Sequence, residues 1–92
     1  MNNQDHEILS ITQEECSEVI QAISKIFRFG LDTEWKGETN RQHLEEEVGD
    51  LQAMMTLLIS NGIISQEKVD FHSQNKIKKL LKWSSISIEN DK

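Results

Sequence analysis

Carboxylate side chains interrupt the apolar stripes of two predicted helices, and this pattern constrains the fold of the chain most strongly. Glu15 and Glu18 lie three residues apart in the first segment, and Glu47 and Asp50 have the same spacing in the second. Three residues is close to one helical turn, so the members of each pair project from the same side of their helix. Two such pairs that face each other would form an oxygen cage for a hard divalent cation.

A helical wheel separates these four acids from ordinary surface charge. Glu15 and Glu18 fall in a stripe beside the predicted core arc of the first helix, and Glu47 and Asp50 lie within or beside that of the second. The two predicted core arcs comprise Cys16, Val19, Ile20, Ile23 and Phe27, and then Leu44, Val48, Leu51, Met54, Met55 and Leu58. Because an unpaired buried carboxylate is costly or takes up a proton, four acids near a core require a compensating charge.

The first helix is predicted to run from about residue 7 to residue 29, where Gly30 ends it. An alternative start at residue 13 stays open, because Thr12 and Glu15 match a capping box. In that case Glu15 would be a helix cap and not a metal ligand. Residues 31–39 lack a sustained period and are predicted to form a loop.

Two further helices follow from the same period. The second is predicted to begin at a cap on Thr39 or Asn40 and to end at about Ser60. The third is predicted over about residues 66–83, with Ser65 as its cap. No segment alternates convincingly, and the sequence contains no proline. The predicted fold is therefore all-α, an antiparallel helical bundle of three to four helices.

The length of 92 residues predicts one small domain over residues 1–83, followed by a polar, flexible tail over residues 84–92. A core of this size is only marginally stable alone, so we expect a homo-oligomer to complete it. Cys16 is assigned to the core and not to a nucleophile, because no activating base accompanies it. One cysteine cannot form an internal disulfide, which fits a reducing compartment.

Charge and hydropathy narrow the class of partners. The net charge of −6 argues against a nucleic-acid-binding surface and suits a protein that recruits a divalent cation. The sequence contains neither a signal peptide with a charged segment followed by an apolar one nor an apolar run approaching about 18 residues. We therefore expect neither export nor membrane insertion. The predicted location is the cytoplasm.

Three residues outside the acidic motifs are candidate substrate contacts. Trp35 is either an anchor of the core or of an oligomer, or a plate on which a nucleobase stacks. His43 shares the stripe of Glu47, where it either packs beside the acids or binds the cation. Asn40 is a candidate for hydrogen bonding to a base.

Lys76 and Lys79 border the apolar arc of the third helix. They are either a solvated flank whose stems cover the core or cations that reach phosphate oxygens. The sequence leaves both interpretations open.

The two acidic motifs together resemble those of the MazG-like, all-α nucleoside triphosphate pyrophosphohydrolases. That family carries Glu-Glu-x-x-Glu on one helix and Glu-x-x-Asp on the next, which stand here at residues 14–18 and 47–50. Residues 40–51 and 79–83 are most similar to short, single-domain members from bacteriophages. The resemblance covers about residues 7–83.

The resemblance implies that Glu15, Glu18, Glu47 and Asp50 bind Mg²⁺, with Mn²⁺ as a substitute. It implies hydrolysis of a nucleoside triphosphate to the monophosphate and pyrophosphate. Glu15 or Glu18 would then orient or deprotonate the attacking water, and lysines of the third helix would contact the departing pyrophosphate. It also implies a dimer or tetramer, a host cytoplasm for a phage-encoded protein, and a deoxynucleotide substrate such as dGTP.

A different class of function is compatible with the same residues. A non-catalytic acidic helical module that binds a partner protein predicts four exposed acids that tolerate replacement by glutamine. A nucleotide-sensing module predicts binding without turnover. Incubation with mixed nucleotides and detection of pyrophosphate separates both alternatives from the hydrolase.

Overall fold

The computed structural model describes residues 1–88. In chain order it contains α1 (Asn3–Phe29), β1 (Glu34–Trp35), β2 (Glu38–Thr39), α2 (Asn40–Ser60) and α3 (Gln66–Trp83). The all-α fold class is confirmed. Residues 84–88 follow α3 without helical structure and are exposed, and the remainder of the predicted tail, 89–92, lies outside the described residues. No helix within residues 1–88 is long and apolar enough to cross a membrane.

Helix α1 is longer than predicted and uninterrupted. The Asn2 side chain caps its first turn, so the helix begins four residues before the start of the apolar period. The alternative start at residue 13 is wrong, because the Thr12 hydroxyl donates to the carbonyl oxygen of Ile8 within the helix, at 2.7 Å. Glu15 is therefore not a cap. Gly30 ends the helix with a φ of 103°, which only glycine adopts easily.

The predicted loop contains a short hairpin, so the prediction of no strand is wrong. Strands β1 and β2 pair antiparallel, with Trp35 opposite Glu38. Lys36 and Gly37 form the turn with φ values of 53° and 82°, the two positive values that a type I′ turn requires. Two-residue strands are too short to show alternation, and lysine at the first turn position hides the turn signal. The hairpin leads directly into α2.

Helix α2 begins as predicted, at a capping box. The backbone N–H of Gln42 donates to the Thr39 hydroxyl at 3.0 Å, and the Gln42 side chain accepts from the Thr39 backbone N–H at 2.8 Å. A hydrogen bond joins the start of α1 to the residue that follows α2: the Gln4 carboxamide donates to the Asn61 side-chain oxygen at 3.1 Å. The start of α1 thus lies beside the end of α2, and the two helices form an antiparallel hairpin.

The core between α1 and α2 is small, and it lies on a different face of α1 from the predicted arc. The buried apolar side chains are Ile8, Ala22, Met54 and Leu58, and Ile11 and Ile63 pack against them. Most of the predicted α1 arc is exposed, namely Cys16, Ile20, Ile23 and Phe27. On α2 the predicted core residues Met54 and Leu58 are buried, whereas Val48 and Met55 are exposed. The assignment of Cys16 to the core is therefore wrong.

The reason for this difference is that α1 carries two adjacent apolar stripes and has one close neighbour. The stripe that contains Glu15, Ala22 and Ile26 faces α2, since Ala22 is 1% exposed and its small side chain permits a close approach of the helices. The more hydrophobic stripe has no packing partner within residues 1–88. A helical wheel ranks the stripes by hydrophobicity and does not show which one meets the neighbouring helix.

Helix α3 projects from the α1–α2 hairpin. It begins at the predicted Ser65 cap, which accepts from the Lys68 backbone N–H at 3.3 Å. None of its residues is buried, and it does not pack along α1 or α2. Its apolar side chains, including Phe71, Leu81 and Trp83, are exposed.

Removal of the α2 capping box should destabilise the domain. Thr39→Ala loses the side-chain acceptor at the helix start, and we expect the free energy of unfolding to fall by about 1 kcal/mol. Thr56→Ala is the matched control, because the Thr56 hydroxyl only donates to the Gln52 carbonyl within the exposed side of α2. Urea unfolding measures both variants. An unchanged Thr39→Ala midpoint would contradict the capping assignment.

Candidate functional site

Three carboxylates converge where the middle of α1 packs against α2. One oxygen from each of Glu15, Glu47 and Asp50 lies within 4.8 Å of the others. Glu15 is half-buried on α1, and Glu47 and Asp50 are separated by nearly one turn of α2. Three of the four predicted acidic ligands are thus brought together by the helix pairing. We refer to Glu15, Glu47 and Asp50 as the acid group.

Glu47 is the buried charged residue of the described chain, with 8% of its surface exposed. The ring Nε2 of His43 lies 3.7 Å from Glu47 Oε2, which is beyond hydrogen-bond distance. Burial raises the pKa of Glu47, the charge of His43 opposes this shift, and Glu18 and Asp50 add to it. Within residues 1–88, no hydrogen bond compensates this carboxylate, and a buried charge of this kind needs a partner.

The surroundings of Glu15 are also unfavourable for a negative charge. Desolvation is the largest cause of the raised pKa of Glu15, and the negative charges of the neighbouring acids raise this pKa further: Asp50, Glu47, Glu14 and Glu18. Glu18 does not contribute an oxygen to the acid group, but it lies close enough to perturb both Glu15 and Glu47. All four predicted ligands therefore occupy one region of strongly negative potential.

The acid group fits a divalent cation bound by oxygen ligands. Oxygens bound to one octahedral Mg²⁺ are about 2.9 Å apart when adjacent and about 4.2 Å apart when opposite, since each Mg–O distance is 2.0–2.1 Å. The three oxygens of the acid group lie within 4.8 Å of one another, so side-chain rotations that draw them together would reach that spacing. A set of carboxylate oxygens without thiolate suits Mg²⁺ or Mn²⁺. The uncompensated burial of Glu47 is the structural reason to expect a cation here.

A second cluster adjoins the acid group through His43. The ring Nδ1 of His43 lies 3.7 Å from Glu38 Oε1 and 3.9 Å from Glu46 Oε1, while Nε2 faces Glu47. His43 thus lies between Glu47 and two further carboxylates. His43 was a candidate from the sequence, but Glu38 was not, because the hairpin that carries Glu38 was predicted as a loop. Glu46 could have been found from its i,i+3 spacing to His43.

A pocket of ≈ 580 Å³ lies beside His43, between the hairpin and the C-terminal part of α1. Three predicted substrate contacts line this pocket: Trp35, Asn40 and His43. The Nζ atoms of Lys36 and Lys25 lie 4.4 Å and 5.9 Å from the centroid of the Trp35 ring. The Asn40 carboxamide donates to the Gly30 carbonyl at 2.9 Å, which ties the start of α2 to the end of α1.

Trp35 is 65% exposed, so it is not an anchor of the core within the chain. Its ring forms a wall of the pocket and is held by the hairpin, whose tight turn sets its position. Lys25 was not singled out from the sequence, because a lone lysine on a helix carries no signal until the hairpin folds over it.

Lys76 and Lys79 lie elsewhere in the chain. Both are exposed on α3, and no salt bridge joins them to the carboxylates of α1 or α2 among the residues that the structure describes. The structure of the single chain does not bring them to the acid group.

These features define an all-α domain whose paired helices hold carboxylates suited to a divalent cation. The family model for the MazG nucleotide pyrophosphohydrolase domain matches residues 3–82, and the chain belongs to this family. Comparisons with curated proteins and with solved structures gave no match. The family implies nucleotide pyrophosphohydrolase activity in general and a general dependence on divalent metal ions. The predicted membership of this family is therefore confirmed, while the origin from a bacteriophage stays a prediction.

The raised pKa values of Glu15 and Glu47 predict that acidification stabilises the metal-free protein through these two groups. The folded state binds their protons more tightly than the unfolded chain, whose carboxyls titrate near 4.5. Their contribution to the free energy of unfolding therefore increases as pH falls from the raised pKa towards 4.5, and it decreases as pH rises.

Glu47→Gln isolates this contribution, and Glu46→Gln is the control, because the Glu46 side chain is 62% exposed. In EDTA at neutral pH, Glu47→Gln should be more stable than the wild type, and the difference should shrink on acidification. Urea unfolding at a fixed protein concentration across this pH range measures both variants. A Glu47→Gln protein that is less stable than the wild type at neutral pH would argue against an uncompensated charge.

Proposed function

We propose that the protein hydrolyses a nucleoside triphosphate to the monophosphate and pyrophosphate, with the acid group as its metal-binding centre. The observation that carries this proposal is the burial of Glu47 without a compensating donor, inside a group of three convergent carboxylates. A structural carboxylate would be hydrogen-bonded or solvated. A buried carboxylate without a hydrogen-bond donor is suited to bind a cation that arrives with the substrate.

Glu15, Glu47 and Asp50 would hold Mg²⁺, for which Mn²⁺ could substitute, and Glu18 would complete the ligand set or act beside it. A bound divalent cation neutralises charge on the triphosphate and polarises its phosphoryl oxygens. His43 flanks Glu47 from the other side, with its Nε2 3.7 Å from Glu47 Oε2, where its charge acts on the carboxylate.

Glu18 is the better candidate for the acceptor of the water proton, because it lies near the acid group without joining it. In the proposed step the water oxygen forms a bond to the α-phosphorus, and the bond from that phosphorus to the bridging oxygen of pyrophosphate breaks. The water proton passes to a carboxylate oxygen of Glu18. Glu15 remains the alternative acceptor.

The pocket beside His43 is proposed to hold the nucleoside. Trp35 offers an exposed ring face for stacking, and Asn40 and His43 offer polar groups near the base or sugar. Lys25 and Lys36 add positive charge beside the pocket in a chain of net charge −6. Because His43 lines both the pocket and the acid group, a nucleoside here would direct its phosphates towards the carboxylates.

Lys76 and Lys79 are proposed to contact the phosphates once α3 is brought to a site, either by movement within the chain or from a second copy. Their charge suits a departing pyrophosphate. For the substrate we propose a deoxynucleoside triphosphate such as dGTP, in the control of a nucleotide pool. A panel of common dNTPs and NTPs tests this choice.

Glu47→Gln tests the proposed centre. Removing a residue that hydrogen-bonds a metal ligand commonly lowers metal affinity or activity by about 10–100-fold. Removing the ligand itself should therefore lower kcat/KM by more than about 100-fold. Release of pyrophosphate from a nucleotide panel, with Mg²⁺ present, is the measurement. Glu46→Gln should retain activity, because this neighbouring glutamate is exposed and lies outside the acid group.

Pyrophosphate release by Glu47→Gln at the wild-type rate would refute the centre. Nucleotide binding by the wild type without any release would favour the sensing module instead. Absence of both binding and release would favour the protein-binding module.

Trp35→Ala tests the nucleoside pocket. Stacking of a base on an aromatic ring is worth about 1–3 kcal/mol, so we expect KM to rise about 10-fold or more with a smaller change in kcat. Trp35→Phe is the control, since it keeps a ring on the same hairpin. An unchanged KM in Trp35→Ala would place the nucleoside elsewhere.

A further inference from the structure

A histidine and two carboxylates form a second group of candidate metal ligands, at the start of α2. One ligand atom from each of Glu38, His43 and Glu46 lies within 4.8 Å of the others. We refer to these residues as the His43 group, which shares no member with the acid group. Glu38 lies on β2, whereas His43 and Glu46 lie nearly one turn apart on α2. The group therefore connects the short hairpin to the helix that follows it.

The ring Nδ1 of His43 is the central ligand atom of this group. It lies 3.7 Å from Glu38 Oε1 and 3.9 Å from Glu46 Oε1, so both contacts are too long for hydrogen bonds. Ligand atoms of a tetrahedral Zn²⁺ site are about 3.3–3.5 Å apart, since Zn–N and Zn–O distances are about 2.0–2.2 Å. The side chains of Glu38 and Glu46 are 44% and 62% exposed, so they can rotate to bring their oxygens to this spacing.

Glu47 gives an independent indication that His43 is a metal ligand. Its carboxylate is buried, with 8% of the residue exposed, and has no hydrogen-bond partner within residues 1–88. Its Oε2 lies 3.7 Å from His43 Nε2, the ring nitrogen that does not face Glu38 or Glu46. Histidines that bind a metal through one nitrogen usually present the other N–H to a carboxylate, which fixes the ring orientation. With its hydrogen on Nε2, His43 directs the lone pair of Nδ1 into the His43 group.

We propose that the His43 group binds a transition-metal ion such as Zn²⁺, at a second site beside the acid group. One imidazole nitrogen and two carboxylate oxygens suit Zn²⁺, with water as the fourth ligand, whereas Mg²⁺ and Mn²⁺ prefer a set of oxygens alone. The two carboxylates balance the charge of the ion. The site takes part in no step of the proposed hydrolysis, so it does not depend on that proposal.

A bound ion would fix the hairpin against α2. Its ligand from β2 is Glu38, which lies opposite Trp35 in the register of the hairpin. Glu38 and His43 line the same pocket as Trp35. A link between Glu38 and α2 would therefore hold the wall of the pocket that carries the Trp35 ring. Because an ion that binds only the folded chain stabilises it, Zn²⁺ should also raise the melting temperature.

Titration of the wild type with Zn²⁺ in excess Mg²⁺ tests the site. Excess Mg²⁺ competes for the acid group and leaves the His43 group to Zn²⁺. In NMR spectra of the protein labelled with ¹⁵N in histidine, one equivalent of Zn²⁺ should shift the Nδ1 resonance of His43 and leave Nε2 protonated. The sequence has two other histidines, His6 and His72, whose resonances should not change. This measurement does not depend on the folding of a variant.

Glu38→Gln removes one charged ligand and keeps the shape of the side chain. Calorimetry in excess Mg²⁺ should show that this variant binds Zn²⁺ about 10-fold more weakly or weaker still, and the rise in melting temperature should be lost. The matched control is Glu45→Gln, which should bind Zn²⁺ as the wild type does, because Glu45 is exposed on α2 and belongs to neither group.

Three results would each overturn the proposal: no Zn²⁺ binding in excess Mg²⁺, Zn²⁺ binding with an unchanged His43 Nδ1 resonance, or equal Zn²⁺ affinities of Glu38→Gln and the wild type. The assay for pyrophosphate release uses Mg²⁺ alone, so the two proposals fail separately. A wild type that releases no pyrophosphate but shows the His43 shift would contradict the hydrolase and support the second metal site.

Discussion

The burial of the Glu47 carboxylate is the constraint on which the rest of the structure depends. A charged group in this position raises the free energy of the folded chain unless a cation or a proton compensates it. Glu15, Asp50 and Glu18 surround it with further negative charge, so the local balance favours a divalent cation over any arrangement of the carboxylates alone. We therefore propose this region as the functional centre of the chain, in agreement with its family.

The remaining elements position this centre. The small Ala22 side chain lets α1 and α2 approach, and the Asn40 contact with Gly30 ties the ends of the two helices together. The β1–β2 hairpin then holds Trp35 over a pocket that ends at His43, which contacts Glu47. The proposed cation site and the proposed nucleoside pocket are thus joined through one histidine. The cost of this arrangement is a core of few residues, which leaves a large apolar surface uncovered.

Much of this organisation could be predicted from the sequence. The caps at Thr39 and Ser65 and the glycine stop at Gly30 predicted three of the six helix ends, because local hydrogen bonds and backbone conformation decide these positions. The spacing of the acids selected four residues, of which Glu15, Glu47 and Asp50 converge and Glu18 does not join them. The family comparison agrees with the resemblance that the acidic motifs carry. Helix caps and residue spacing depend on residues that are close in the sequence, so they can be recognised without knowledge of tertiary contacts.

The parts that could not be predicted depend on contacts between distant elements. The hairpin was missed because two-residue strands have no period, and Glu38 was missed with it. The more hydrophobic stripe of α1 was predicted to be core and is exposed, since hydrophobicity alone does not reveal which stripe of α1 meets α2. The exposure of Cys16 follows from that misassignment. The early start of α1 was missed because its first turn is polar and depends on the Asn2 cap.

The most direct measurement of the central claim is the site at which Mn²⁺ binds. Substoichiometric Mn²⁺ added to the ¹⁵N-labelled protein broadens the amide resonances nearest to the ion. Broadening should be strongest at residues 15, 47 and 50, and excess Mg²⁺ should reverse it. Broadening centred on Glu38 and Glu46, or spread evenly over the acidic surface, would contradict a cation held by the buried Glu47.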